Sequence, residues 1–233
     1  MSSQTSLWGH CERIGSLCVL SSGEMVSGSD DARVLRYSAA GRLLGAYTQS
    51  WAPINFIVEL PHCWFSSASD STTMIAFGSG NKIIGLELQS GRQAQFCPHL
   101  RWRGTPLCGV VFPPPLAGTK PQPSSVHSLF VGFSDAIVRQ FSLPPATSVP
   151  VLQAELTGHA DAVRAIAVPD GSNLMNAPPA LVTASDDRYV VRWGPARDAV
   201  PDSQLLMPTS EAGKAHRFTL TPFAPGEVIG SDE

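Results

Sequence analysis

Apolar and polar positions along this chain follow one pattern that recurs four times. An apolar strand ends in small residues, a tight turn follows, and a second apolar strand ends in a bulky residue. The copies are EMVSGSDDARVLRYS (24–38), TMIAFGSGNKIIGLEL (73–88), SLFVGFSDAIVRQFS (128–142) and ALVTASDDRYVVRWG (180–194). They align on Asp31, Gly80, Asp135 and Asp187, with Tyr37, Leu86, Phe141 and Trp193 six positions later. A further apolar or alternating segment precedes each copy: 13–20, 54–60, 106–112 and 162–168. A weaker strand candidate follows, as in RLLGAYT (42–48) and PVLQAEL (150–156). Short runs of this kind bounded by turn residues read as strands.

Four short strands per unit, repeated at steps of 49, 55 and 52 residues, predict the blades of a β-propeller. The expected units are about 5–49, 50–99, 100–157 and 158–197, so residues 1–197 form the blades. Pro-rich or irregular stretches at 113–125 and 169–179 read as insertions inside the third and fourth units. Residues 198–233 read as a C-terminal segment, with an additional strand candidate at 216–223 and then a polar, mobile end.

Composition narrows the class in the same direction. Hydrophobic residues make up 43% of the 233 positions and charged residues 15%, with 20 glycines and 20 prolines. That excludes a coiled coil or helical bundle and leaves enough apolar mass for an all-β core. The net charge of −3 supplies no basic field for nucleic acid. No apolar run approaches the ~20 residues that cross a bilayer as a helix. Five cysteines at irregular spacing do not read as a disulfide framework. The expectation is a soluble protein of a reducing compartment, cytoplasmic with the nucleus as the alternative.

Gly9-His10 and Gly158-His159 open the first and fourth units. A Gly-His start, a turn Asp and a bulky aromatic closing the third strand resemble the WD-repeat family, although Trp193 is followed by Gly194 where the family carries its Asp. The resemblance implies a structural network in which a lead-in His bonds the turn Asp and a hydroxyl on the second strand, and the hydroxyl receives the indole N–H. In the fourth unit these are His159, Asp187, Thr183 or Ser185, and Trp193. In the first they are His10, Asp31, Ser29 and, in place of the Trp, Tyr37. Units two and three lack the Gly-His start and are expected to rest on packing alone.

Such proteins close seven blades, sometimes six or eight, so four units imply a fragment of a longer ring, an arc completed by a partner or by self-association, or a four-bladed closure; the expectation is an incomplete arc that needs a partner or further sequence. TSLWGH (5–10) reads as a fourth strand for the last blade, with SQLLM (203–207) as the alternative.

No phosphate loop or nucleophile elbow is present, and the His and Cys pairs at 10–11, 62–63 and 97–99 lack metal-site spacing. No catalytic group, cofactor or metal is expected. The resemblance therefore implies a non-catalytic scaffold that binds protein partners through its loops. Candidate loop residues are Glu12, Arg13, Asp30 and Arg33 in the first unit, and Asp161, Arg164, Asp186 and Arg188 in the fourth. Trp51, Trp64 and Trp102 are either interface anchors or fillers between blades. The alternatives are a structural subunit of a larger assembly and, less favoured, a propeller hydrolase. Neither a membrane nor a nucleic acid is indicated as partner.

Overall fold

In the computed structural model the described residues are 7, 9–48, 52–61, 73–112, 127–143, 150–168 and 181–193. All their regular structure is β. The first sheet holds β1 (Ile14–Val19), β2 (Met25–Ser29), β3 (Arg33–Tyr37) and β4 (Leu43–Thr48). The second holds β5 (Ile54–Leu60), β6 (Met74–Ser79), β7 (Lys82–Glu87) and β8 (Gln93–Gln95). The third holds β9 (Pro106–Phe112), β10 (His127–Phe133), β11 (Val138–Leu143) and β12 (Val151–Leu156). The fourth holds β13 (Val163–Ala167), β14 (Leu181–Ser185) and β15 (Val190–Trp193). Each is an antiparallel meander in sequence order.

The sheets stack face to face in chain order. The first strands β1, β5, β9 and β13 neighbour one another in succession, and the ring is not closed. Three cores result. Val26 and Val34 of the first sheet meet Ile54, Ile57, Ile75 and Phe77 of the second. Phe56, Met74 and Ile83 of the second meet Leu129, Val131 and Phe141 of the third. Phe130 and Val138 of the third meet Val163, Leu181 and Trp193 of the fourth. Both faces of a middle sheet are therefore buried, which explains why β6 reads as a continuous apolar run and not as an alternation. At ~1.5–3 kcal/mol per buried large apolar side chain, these cores hold the arc together.

A repeated small-residue socket sets the spacing between sheets. Side chains at the start of β5, β9 and β13 press on a glycine of the preceding sheet. Added Cβ atoms would lie 2.3 Å from Ile54 at Gly28, 3.0 Å from Pro106 at Gly78 and 2.7 Å from Val163 at Gly132.

The strand turns correct the alignment on Gly80. In the first, third and fourth sheets five residues separate the last paired positions Gly28/Val34, Gly132/Val138 and Ala184/Val190. In the second, pairing continues to Ser79/Lys82, which leaves a two-residue loop. Gly80, at φ 57°, is thus the counterpart of Ala32, Ala136 and Arg188, at φ 62°, 66° and 73°. These three hold left-handed backbone that costs an L-residue ~1–2 kcal/mol. Ala136→Gly removes that strain against a smaller entropic cost, so a gain of about 0.5–1 kcal/mol is expected, read as a Tm rise of a few degrees. A lower Tm would show that the turn is not strained.

Candidate functional site

The loops leading into β1 and β13 are clamped to the β2–β3 and β14–β15 turns. In the fourth sheet His159 Nδ1 lies 2.8 Å from Asp187 Oδ2 and Nε2 lies 2.7 Å from Thr183 Oγ1. Trp193 Nε1 donates to the same Thr183 oxygen at 2.8 Å. One proton per link fixes the chemistry: the hydroxyl accepts from Trp193 and donates to Nε2, and Nδ1–H donates to Asp187. The Asp187 carboxylate also accepts the backbone N–H groups of Ala160 (2.9 Å) and Tyr189 (2.8 Å).

His10 repeats this in the first sheet, 3.0 Å from Asp31 Oδ2 and 2.8 Å from Ser27 Oγ. The expected hydroxyl, Ser29, is corrected by this geometry. Ser29 sits beside the turn and accepts the Asp31 N–H at 3.1 Å, whereas Ser27, two residues back on the same strand face, reaches the imidazole. The choice in the fourth sheet falls the same way. Thr183 meets the imidazole, and Ser185 donates to the Asp161 carbonyl (2.8 Å) and accepts the Asp187 N–H (3.2 Å). Tyr37 is buried in the position that Trp193 takes in its own sheet.

Burial pushes the Asp31 carboxyl up, but donors from His10, the Cys11 and Arg33 amides and the Arg33 guanidinium hold it well below its ordinary value. Burial likewise opposes, and the Ala160, Tyr189 and His159 donors outweigh it, to depress Asp187.

The third sheet does not rest on packing alone. Trp102 stands four residues before β9, as His10 and His159 stand four before β1 and β13. It is buried against Phe133 and Phe141, with centroids 5.7 and 5.8 Å away. Val131 takes the position of the hydroxyl residue, and Trp102 Nε1 is buried with no hydrogen-bond partner. The turn Asp135 is held by Arg139 at 2.9 and 3.1 Å, and Arg139 Nε reaches Glu155 at 2.6 Å. The guanidinium also lies 4.4 Å from the Phe133 ring centroid. Trp102 is therefore a filler between sheets; Trp51 and Trp64 lie outside the described residues, as do His62, Cys63 and the strand candidates at 203–207 and 216–223.

The candidate loop charges fall into two groups. Arg13 pairs with Asp30 (2.9 Å) and Arg164 with Asp186 (2.7 Å), both exposed. Such pairs contribute only ~0–1 kcal/mol, so a partner can exchange them at little cost. Glu12, Asp161 and Arg188 are also exposed. Arg33 points inward instead, onto Asp31 (2.8 Å) and Cys11 Sγ (2.8 Å).

Among the described residues no three His, Cys, Asp or Glu side chains are placed to hold a metal, and no helix is long and apolar enough to cross a membrane. The described cysteines differ sharply in setting. Cys11 is exposed, while burial pushes the Cys108 thiol up to about 12 and raises Cys97 as well. Alkylation near pH 8 is expected to mark Cys11 within minutes and Cys97 and Cys108 only on unfolding, by peptide mass spectrometry. Equal labelling would contradict the packing of β9.

Repeated antiparallel sheets tied across their turns by these bonds define propeller blades. Residues 150–194, spanning β12 to β15, match the family model described as WD domain, G-beta repeat. Together with the antiparallel meander that recurs in all four sheets, this match supports a likeness to a divergent WD-repeat family. Domains of this kind mediate protein–protein interactions and are typically non-catalytic. A comparison with curated proteins gave no match.

Proposed function

We propose that the chain is a non-catalytic scaffold that captures a protein partner on the loop face of its first and fourth sheets. The observation that carries this is the pair of exposed Arg–Asp contacts, Arg13–Asp30 and Arg164–Asp186, mounted on loops that buried His–Asp bonds hold rigid. Mixed charge on a preorganised loop face favours a partner bearing complementary charge and costs little ordering on binding. Arg164→Ala combined with Arg188→Ala is expected to remove the specific partners seen in quantitative pull-downs while leaving Tm nearly unchanged. An unchanged partner set rejects this face. A second reading, a structural subunit of a larger assembly, is favoured by the apolar side chains left open on β1, among them Leu17 and Val19.

A further inference from the structure

We propose that the two open ends of the arc bind each other between two copies of this chain, head to tail, so that the pair closes one ring. Arg164 of the loop face borders the second end, so this inference is tested at Leu17 and Ala184, which the loop-face reading does not use.

The first end is the uncovered face of β1. Strand pairing makes Ile14, Ile54, Pro106 and Val163 equivalent, each opposite the last residue of the second strand. Ile54, Pro106 and Val163 press into Gly28, Gly78 and Gly132 of the preceding sheet. Among the described residues no sheet packs before β1, and Ile14 is 56% exposed. Leu17 is 63% exposed where its equivalent Ile57 is 5%, and Val19 is 65% exposed where Val111 is 6%. The side chains that match the buried Ile57 and Val111 are open here.

The second end is the far face of β14 and β15. Ala184 pairs with Ala165 as Gly28 pairs with Ser16, Gly78 with Phe56 and Gly132 with Cys108. It is the fourth socket, one methyl shallower, and no knob fills it among the described residues. Val182 and Val190 flank it where Val26 and Val34 flank Gly28, and Val190 is 41% exposed. The polar groups match too. Asn55 donates to the Pro106 carbonyl of the next sheet at 3.1 Å, and Arg164 holds the position of Asn55. Arg36 reaches the Leu88 carbonyl of the next sheet, and Arg192 holds the position of Arg36.

One chain thus carries the knob and the socket of the joint it repeats three times internally. A second copy is the occupant whose β1 continues that joint without a change of register. Two head-to-tail contacts then close on each other by a two-fold axis.

Sedimentation velocity and light scattering of the 233-residue chain, from about 1 to about 100 μM, test this. A mass of two chains is expected. Leu17→Glu at one end and Ala184→Trp at the other should each raise the dissociation constant roughly a hundredfold, because each breaks both joints. Leu17 is exposed, so its variant should keep the wild-type circular dichroism and Tm; Val19→Glu is the second variant should it not. Mixing the Leu17 and Ala184 variants should restore a weaker two-chain species with one intact joint. Val151→Glu, exposed but away from both ends, should leave the mass unchanged. A monomer at every concentration overturns the proposal, including one that gains mass only with a different protein. So does a two-chain mass that survives both substitutions.

Discussion

His159→Ala is expected to lower the stability of the fourth sheet by about 3 kcal/mol, and Trp193→Ala by about 3–5 kcal/mol, while exposed His99→Ala stays within about 0.5 kcal/mol. The imidazole side chain is fully enclosed and joins a carboxylate to a buried hydroxyl. Its removal takes one hydrogen bond from each group, leaving Thr183 the Trp193 donor and Asp187 the Ala160 and Tyr189 amides, and it opens a cavity where the enclosed ring stood. Loss of Trp193 adds a cavity beside Leu181 and Val163. Urea melts followed by fluorescence and circular dichroism read the difference, and equal midpoints for His159→Ala and His99→Ala would remove the network from the account of this fold. Acid gives a second reading of the same bonds. The carboxyl of Asp187 is depressed in the fold, so its stabilisation is complete above the unfolded value of ~3.9 and is lost as pH falls below it through the folded value. The drop in urea midpoint between pH 7 and pH 3 should shrink in Asp187→Asn.

Strand pattern carried most of the fold into the sequence. The segments INFIVEL and PLCGVVF coincide with β5 and β9 because middle sheets bury both faces and so draw mostly apolar residues, with Asn55 and Glu59 the polar positions of β5. The Gly-His and Asp positions of the first and fourth units pointed to the loops that the imidazoles bridge. What the sequence hid was register. A turn shorter by one residue slides β6 against β7, so an alignment on Gly80 places the third strand correctly and the second one position off. The same parity decides between Ser27 and Ser29, since both lie on one face and only their distance from the turn separates them. Trp102 was hidden for another reason. Residues 113–125 lengthen its spacing to Asp135 far beyond the 21 residues that separate His10 from Asp31. Counting four residues back from each first strand, not forward to the turn, brings Trp102 into line with His10 and His159.

Arg139 shows what the third sheet does without a histidine. The turn Asp is still fixed, but by a buried guanidinium on β11 that bridges to Glu155 on β12. The tie then runs outward across the sheet instead of inward to the lead-in loop. The loop face is therefore clamped by histidine at the two ends of the arc, which is where the exposed Arg–Asp pairs sit.

Gly28→Ala is expected to destabilise the arc by about 3 kcal/mol, an effect of one methyl group at a position with ordinary strand backbone. Its Cβ would stand 2.3 Å from Ile54 Cγ2, 2.7 Å from Ile54 Cβ and 3.0 Å from Ile57 Cδ1. Ile54 is fully buried at the start of β5, where its carbonyl also lies 2.7 Å from the Cβ that Gly15 would carry. It cannot swing away, so the first and second sheets must separate, and overpacking of this kind costs ~1–3 kcal/mol or more. Ile54→Ala alone should cost about 2–5 kcal/mol through the cavity it leaves. The two together should cost less than their sum by about 1–3 kcal/mol, because the new methyl enters the space that the isoleucine vacates. Thermal melts of the two single variants and the double variant measure this coupling. Strict additivity would mean that the glycine is not a socket, and the packing argument for Gly78, Gly132 and Ala184 would fall with it.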